Sequence, residues 1–133
     1  MSARKVIIHR PGGYERLTRE PLAIPIPKAG EVVVATEAIG VNYADCVIRM
    51  GLYASAKEFV GWPITPGFEF AGTVSRVGEG VENVRPGDQV LGVVRFGAYA
   101  THVVAPAANV YPIPTGFSPN QAAAFPTVFL TAY

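Results

Sequence analysis

The sequence has a single cysteine, almost no net charge and no long apolar segment, and each absence excludes a class of protein. One cysteine, Cys46, cannot form an internal disulfide, a CxxC redox pair or a zinc ribbon. With 11 Lys and Arg against 10 Asp and Glu, the chain has no basic excess for nucleic acid or an anionic membrane. The apolar stretches fall far short of the roughly 20 residues that cross a bilayer, and the first residues lack the apolar core of a signal peptide. We therefore expect a cytoplasmic protein that binds neither nucleic acid nor membrane.

Apolar residues, glycine and proline are abundant instead. Apolar residues occupy 50% of the 133 positions, which is enough to bury a core, and the length suits one domain. The 14 glycines and 12 prolines favour short strands joined by turns over long helices. The composition therefore predicts a β-rich domain and argues against a coiled coil or a helical bundle.

Several segments have the alternating or Val- and Ile-rich pattern of β-strands. The clearest are 5–9, 31–39, 70–77, 89–94 and 98–104. Within 31–39 we expect Val32, Val34 and Ala38 to share one face of the strand. About six short strands and two short helices together predict a partly open β-barrel.

Two helices are predicted from capping residues and from a change in the spacing of apolar residues. The first begins after Asn42, which is a suitable N-cap residue. Asp45 and Arg49, four residues apart on this helix, are expected to form an ion pair on its surface. The second begins after Ser118 as N-cap and is interrupted at Pro126.

Spacing alone does not identify a reaction. His9 and His102 are expected to be core or edge residues, and Cys46 a packed thiol, because no partner residues stand at catalytic spacing. The segment 78–83 begins like GxGxxG but lacks the third glycine and opens no helix, so it is predicted to be a surface turn. Tyr53, in the loop after the first helix, can pack its ring or contact a ligand, and its position leaves both alternatives open.

Five segments, in this order, resemble the medium-chain dehydrogenase/reductase superfamily. They are GVNYAD with RMGLY at 40–53, PGFEFAGTV at 66–74, GDQV at 87–90, FGAYA at 96–100 and LTAY at 130–133. The match extends over essentially the whole chain, and its detail resembles the zinc-free quinone oxidoreductase branch, which includes zeta-crystallin. The resemblance implies a β-rich α+β fold, namely a GroES-like, partly open β-barrel with short helices.

The resemblance also implies a domain division. Residues 1–117 would form the GroES-like catalytic domain, and residues 118–133 would begin a helical connection to a nucleotide-binding Rossmann domain, which these residues do not include. We therefore expect the chain to be the N-terminal part of a longer enzyme, a homodimer when complete. The isolated chain is expected to be unable to turn over.

The motifs assign this chain to the zinc-free branch. Zinc-dependent relatives hold the metal with cysteine, histidine and a second cysteine or an acid, and the corresponding positions here are Asn42, Phe68 and Thr127. None of these supplies a thiolate or an imidazole, and a phenylalanine cannot coordinate a metal. The expectation is therefore no zinc. Glu69, which both branches contain, is expected to be structural.

Without zinc, the reaction loses the Lewis acid that stabilises an alkoxide. The resemblance then implies hydride transfer from NADPH, bound mainly by the Rossmann domain, to an acceptor that is already electron-poor. Small-molecule quinones and α,β-unsaturated carbonyls such as enones meet this description.

The implied site consists of five residues. Asn42 and Tyr53 would be catalytic, and the cofactor would be contacted by Asn42, Asp45, Tyr53, Thr127 and Thr131. Asn42 would lie near the nicotinamide ribose or the substrate oxygen, and Thr127 and Thr131 beneath the nicotinamide. Tyr53 would edge the cleft, since a tyrosine at this motif position is a proposed proton donor in related enoyl-thioester reductases. Asp45 would orient the cleft through local hydrogen bonds.

Other functions remain open at this point. The first alternative is an enoyl-thioester reductase. The second is a non-catalytic GroES-like module used for binding or scaffolding, as in some vesicle-associated members of the superfamily. A GroES-type co-chaperonin is a third, although the segments 40–53 and 66–74 would have no role in one.

Overall fold

The architecture is a curled antiparallel sheet with short helices at its edges, as a computed structural model of residues 2–133 describes it. The strands are β1 (Arg4–Ile7), β2 (Thr18–Pro21), β3 (Glu31–Ile39), β4 (Glu69–Val77), β5 (Gln89–Val93), β6 (His102–Pro106) and β7 (Val110–Pro112). The helices are α1 (Tyr43–Arg49), α2 (Ala54–Phe59), α3 (Pro119–Ala124) and α4 (Pro126–Ala132). None of these helices is both long and apolar enough to span a bilayer.

The main sheet has the order β6-β3-β4-β5-β7, with every neighbouring pair antiparallel. It curls into a half-barrel, and β1 and β2 form a separate hairpin. A bridge from Lys5 to Ala100 joins that hairpin to the loop before β6. The prediction of a β-rich, partly open barrel with short helices is thus confirmed.

The core lies inside the curl of the sheet, where Val32, Val34, Phe70, Val74 and Val90 are fully or almost fully buried. A second cluster beneath α1 contains Ile8, Ile48, Ala56 and Ile64. On the other face of the sheet, Ala122 and Ala123 of α3 pack against β4 and β5. Small side chains on α3 therefore let this helix lie close to the sheet.

One expected strand face is wrong. Val32 and Val34 do point into the main core, but Ala38 packs against the cluster on the opposite face. The register of β3 against β4 shifts between Thr36 and Ala38. A bulge adds one residue to the strand, and because the side-chain period is two, it moves every later residue to the other face.

The strand expected at 98–104 is displaced toward the C-terminus, because β6 runs from His102 to Pro106. Residues 98–101 instead form a loop that reaches β1, where the Val6 amide donates to the Tyr99 carbonyl. The alternating sequence pattern at 98–104 therefore covers a loop that contacts β1 and the start of β6, which pairs with β3.

Both predicted helices occur, with the expected caps. Asn42 precedes α1. Ser118 precedes α3, where its hydroxyl oxygen accepts from the Gln121 amide at 3.2 Å. Pro126 separates α3 from α4 and stands at the first position of α4. The helix α2 was not predicted, since Ala56 is its one buried residue and gives no apolar stripe.

The expected surface ion pair between Asp45 and Arg49 is wrong. Both side chains are buried and turn to different partners. The Arg49 guanidinium donates to the Gly12 carbonyl and lies 4.6 Å from the centre of the Tyr14 ring. Asp45 accepts from the Tyr99 hydroxyl at 2.9 Å. The segment after β1 and the loop before β6 therefore supply the partners that solvent would supply on an isolated helix.

The packing beneath α1 can be tested with two isoleucines. Ile48→Ala leaves a cavity in the cluster that seats α1, so we expect a loss of about 2–5 kcal/mol in the free energy of unfolding, measured by urea titration. Ile26 is 81% exposed, and Ile26→Ala is expected to change little. Equal losses in the two variants would contradict this assignment of the core.

Candidate functional site

An open cleft of about 430 Å³ lies between the loop after α1, the end of β5 and helix α4. Its lining residues are Ala44, Tyr53, Phe68, Val93, Val94, Thr127, Leu130 and Thr131. Among residues 2–133, no charged side chain lines it. Its polar lining residues are Tyr53, Thr127 and Thr131, so the cleft suits a largely apolar, uncharged molecule.

The aromatic rings of Tyr53 and Phe68 line the cleft and pack with the ring of Phe96. The ring centre of Phe68 lies 6.1 Å from that of Tyr53 and 5.6 Å from that of Phe96. Tyr53 and Phe96 meet edge to face at 6.3 Å. Aromatic pairs at these separations stabilise one another and restrict ring motion. The Tyr53 side chain is thus oriented by two neighbours rather than free at a loop tip.

Local sequence explains how the rings of Tyr53 and Phe68 reach the cleft. Gly51 has φ +78° and ends α1 with a sharp turn. Tyr53 then follows and packs against the cluster beneath α1. Gly67 has φ +108°, and a Cβ there would lie 2.5 Å from the Tyr99 ring. The turn at Pro66 and Gly67 brings Phe68 to the position before β4. A residue larger than glycine at position 67 would collide with the Tyr99 ring.

The carboxylate of Glu69 joins the elements on either side of the cleft. Glu69 is 1% exposed. One of its oxygens accepts from the Asn42 side-chain amide at 2.9 Å, and the other accepts from the Thr127 backbone amide at 2.8 Å. Gly40 leaves room for it, since a Cβ at this position would collide with the carboxylate. Glu69 thus connects the N-terminus of α1 to the first turn of α4, where a helix dipole favours negative charge.

Asp45 lies deeper than the cleft. Its Oδ2 accepts from the Asn42 backbone amide and from the Tyr99 hydroxyl, both at 2.9 Å. Burial raises the pKa of the Asp45 carboxyl, and the hydrogen bonds from Asn42 and Tyr99, with the nearby backbone amide of Gly67, oppose that rise. Burial and the nearby Asp45 carboxylate raise the pKa of the Tyr99 phenol well above its usual range, which keeps the hydroxyl protonated.

The structure brings together three of the five predicted site residues, because Tyr53, Thr127 and Thr131 line one cleft. Asn42 and Asp45 do not line it. The Asn42 amide is engaged by Glu69, and the Asp45 carboxylate faces Tyr99.

Two contributors, Tyr99 and Phe96, are not singled out by the sequence patterns, although both lie in the FGAYA segment. Glu69 has the structural role expected of it, and its partners, Asn42 and Thr127, become visible only in the structure.

A second groove of similar volume lies between β1 and β3 and includes Tyr99. It contains none of the five predicted residues, so the cleft beside Tyr53 is the candidate site.

The positions expected to correspond to zinc ligands do not suit a metal. Phe68 has no donor atom, and the Asn42 amide nitrogen donates to Glu69. Thr127 can offer only a hydroxyl. Within residues 2–133, no three His, Cys, Asp or Glu side chains are grouped closely enough to hold a metal ion.

Residues 28–115 match the family described as the alcohol dehydrogenase GroES-like domain. The chain belongs to this family. Its GroES-like domain is that of the medium-chain dehydrogenase/reductase superfamily, as the motifs at 40–53 and 66–74 predicted. The superfamily prediction is therefore confirmed.

Three relatives illustrate its similarities. The mouse synaptic vesicle membrane protein VAT-1 homolog-like is 36% identical over 98% of the chain and 30% of the relative. The CurK enoyl reductase structure superposes with a TM-score of 0.92 at 28% identity, over 99% of the chain and 41% of that structure. The structure of Escherichia coli quinone oxidoreductase with NADPH superposes with a TM-score of 0.84 at 34% identity, over 92% of the chain and 36% of that structure. The chain thus spans about a third of the length of these relatives.

The role of Glu69 generates a test. Glutamine offers one acceptor oxygen, whereas two N–H groups point at the carboxylate, so Glu69→Gln leaves one donor unpaired. We expect a loss of about 1–3 kcal/mol in the free energy of unfolding and faster hydrogen exchange at the Thr127 amide. Glu82→Gln, at an exposed position, is the matched control. If Thr127 exchange is unaltered in Glu69→Gln, the bridge does not hold α4.

Proposed function

We propose that this chain forms the acceptor side of the active site of a zinc-independent, NADPH-dependent oxidoreductase. The reaction is hydride transfer to quinones or α,β-unsaturated carbonyls. The observation that carries the proposal is the uncharged, aromatic-walled cleft in which Tyr53, Thr127 and Thr131 meet. Because the chain spans about a third of its relatives' length, the proposal concerns the whole protein that carries it.

The cofactor assignment rests on the fit of the cleft. When bound, NADPH supplies a hydride. Thr127 and Thr131 are four residues apart on α4 and therefore lie on one face of the helix, next to the apolar side chain of Val93. This combination suits a flat ring that carries one amide, as nicotinamide does. The solved Escherichia coli quinone oxidoreductase with NADPH supports the choice of cofactor.

The side chains of the cleft bind and orient the acceptor. Phe68, Val93 and Leu130 offer apolar contacts that exclude water from a flat substrate. Tyr53 carries the polar group among the packed rings, and in this proposal its hydroxyl donates a proton or a hydrogen bond to the acceptor. Phe68 at a metal-ligand position leaves no Lewis acid at that position, so the acceptor must itself be electron-poor.

The two acceptor types differ in their need for a proton. In an activated alkene, hydride adds to the β-carbon and a proton must reach the α-carbon to complete the reduction. In a quinone, the developing oxyanion is stabilised by the conjugated ring and acquires its proton readily from water. A proton donor in the cleft therefore matters more for alkenes.

Two alternatives have support of their own. Similarity to the CurK enoyl reductase favours an enoyl-thioester as the activated alkene. The VAT-1 homolog-like protein, similar over almost the whole chain, bears a name that states no reaction, which leaves a GroES-like module used for binding as the second alternative. NADPH oxidation by the whole protein, assayed with 1,4-benzoquinone, an enone and an enoyl-thioester, separates these alternatives. Absence of turnover with every acceptor would favour the binding module.

Zinc independence has a direct test. Because Phe68 and Thr127 replace thiolate or imidazole ligands, we expect the purified whole protein to contain far less than one zinc per chain by elemental analysis. Dialysis against EDTA should leave its rate of NADPH oxidation unchanged. One bound zinc per chain, or loss of activity on chelation, would refute this part of the proposal.

The role of Tyr53 can be tested by comparing substrates. If its hydroxyl is a proton donor, Tyr53→Phe should slow alkene reduction by about 100-fold or more, since general acid catalysis commonly contributes that much. Quinone reduction should change much less. Tyr111→Phe, on β7 and 53% exposed, is the control. Equal slowing of both reactions would rule out a donor role.

A further inference from the structure

Tyr99 lies outside the cleft, yet it is held in place at three points. Its backbone amide donates to the Pro66 carbonyl at 2.9 Å, and its carbonyl accepts from the Val6 amide at 2.8 Å. Its ring lies against Gly67, where a Cβ would be 2.5 Å away. Strand β1 and the turn before β4 therefore fix the position from which the phenol reaches α1.

The Tyr99 hydroxyl meets α1 at Asp45. The same carboxylate oxygen, Oδ2, accepts from Tyr99 and from the backbone amide of Asn42. Asp45 is 5% exposed, and among residues 2–133 its other oxygen, Oδ1, is buried without a hydrogen-bond partner. An incompletely paired buried carboxylate depends strongly on each donor that it has.

From Asn42 the hydrogen bonds continue to the cleft. The Asn42 side chain donates to Glu69, and Glu69 accepts from the Thr127 amide. Thr127 lines the cleft. An unbroken series of hydrogen bonds therefore runs from the loop before β6, through the N-terminus of α1, to the first turn of α4.

We propose that Tyr99 is a positioning residue for the site, because its bond to Asp45 fixes the N-terminus of α1 and, through Asn42 and Glu69, the first turn of α4. This inference rests on the proposed function only in that the cleft is taken as the site of reduction. Tyr99 does not line the cleft, so the contribution of its hydroxyl passes through Asp45, to which it donates.

The charges around Asp45 determine how this bond can be detected. Burial and Glu69, which faces it from β4, favour the neutral acid, whereas the donors from Asn42 and Tyr99 and the nearby backbone amide of Gly67 favour the carboxylate. Cys46 is the next residue on α1, and its thiol lies near the Tyr99 phenol. Removal of the Tyr99 hydroxyl should therefore raise the pKa of Asp45 further.

The first experiment follows the Asn42 backbone amide of the 133-residue chain by NMR as pH is varied. This amide donates to Asp45, so its shift reports ionisation of that carboxyl. Tyr99→Phe should move the midpoint to higher pH and shift the Thr127 amide. Tyr111→Phe should do neither, and Asp45→Asn should abolish the titration. An unchanged Asn42 midpoint in Tyr99→Phe would overturn the proposal, since a role in packing alone predicts that result.

A second measurement covers the case in which Tyr99→Phe does not fold. Incorporation of 3-fluorotyrosine at the 6 tyrosines makes each phenol a stronger hydrogen-bond donor without removing it. The Asn42 midpoint should then move to lower pH. A midpoint that stays constant would again overturn the proposal.

The last experiment links the network to turnover. In the whole protein, Tyr99→Phe should lower kcat about tenfold while KM for NADPH and acceptor changes less than about twofold, as misplacement of a site predicts. A normal kcat alongside a shifted Asn42 midpoint would refute the effect on the site. If the unsubstituted protein reduces no acceptor, the proposed function fails, whereas the NMR result still decides whether Tyr99 controls α1.

Discussion

The buried carboxylate of Glu69 is the interaction on which the candidate site depends. A carboxylate removed from water is stable only when hydrogen bonds replace its hydration. The two donors here come from the N-cap residue of α1 and the first turn of α4. Because both donors must meet one rigid group on β4, the two helices are fixed relative to the sheet, and the space between them becomes the cleft.

Charge and chemistry are separated within this arrangement. Glu69 and Asp45 are both acidic and buried, yet neither lines the cleft. Their partners are backbone amides, Asn42 and Tyr99, which leaves uncharged residues to line the cleft. Under the proposed function, this arrangement places no negative charge in the cleft beside a substrate that gains electron density.

Much of the fold follows from the sequence, because its signals are local. The N-caps Asn42 and Ser118 and the continuous apolar pattern of β3 depend on neighbouring residues. The face on which Ala38 lies does not depend on neighbouring residues, because a bulge in the pairing of β3 with β4 determines it. The site divides in the same way between local and distant signals. Family motifs pointed to Tyr53, Thr127 and Thr131. The hydrogen bond from Tyr99 to Asp45 joins residues 54 positions apart, and no local sequence pattern predicts it.

The sequence separation of the Glu69 contacts has a consequence for how the chain acquires its site. Asn42 is 27 positions before Glu69, and Thr127 is 58 positions after it. During synthesis, the half-barrel can pair most of its strands before residue 127 leaves the ribosome, and at that stage the buried acid has only one of its two partners. Contacts of high sequence separation also form slowly in refolding. We therefore expect the cleft to form late in folding, when α4 brings the Thr127 amide to Glu69.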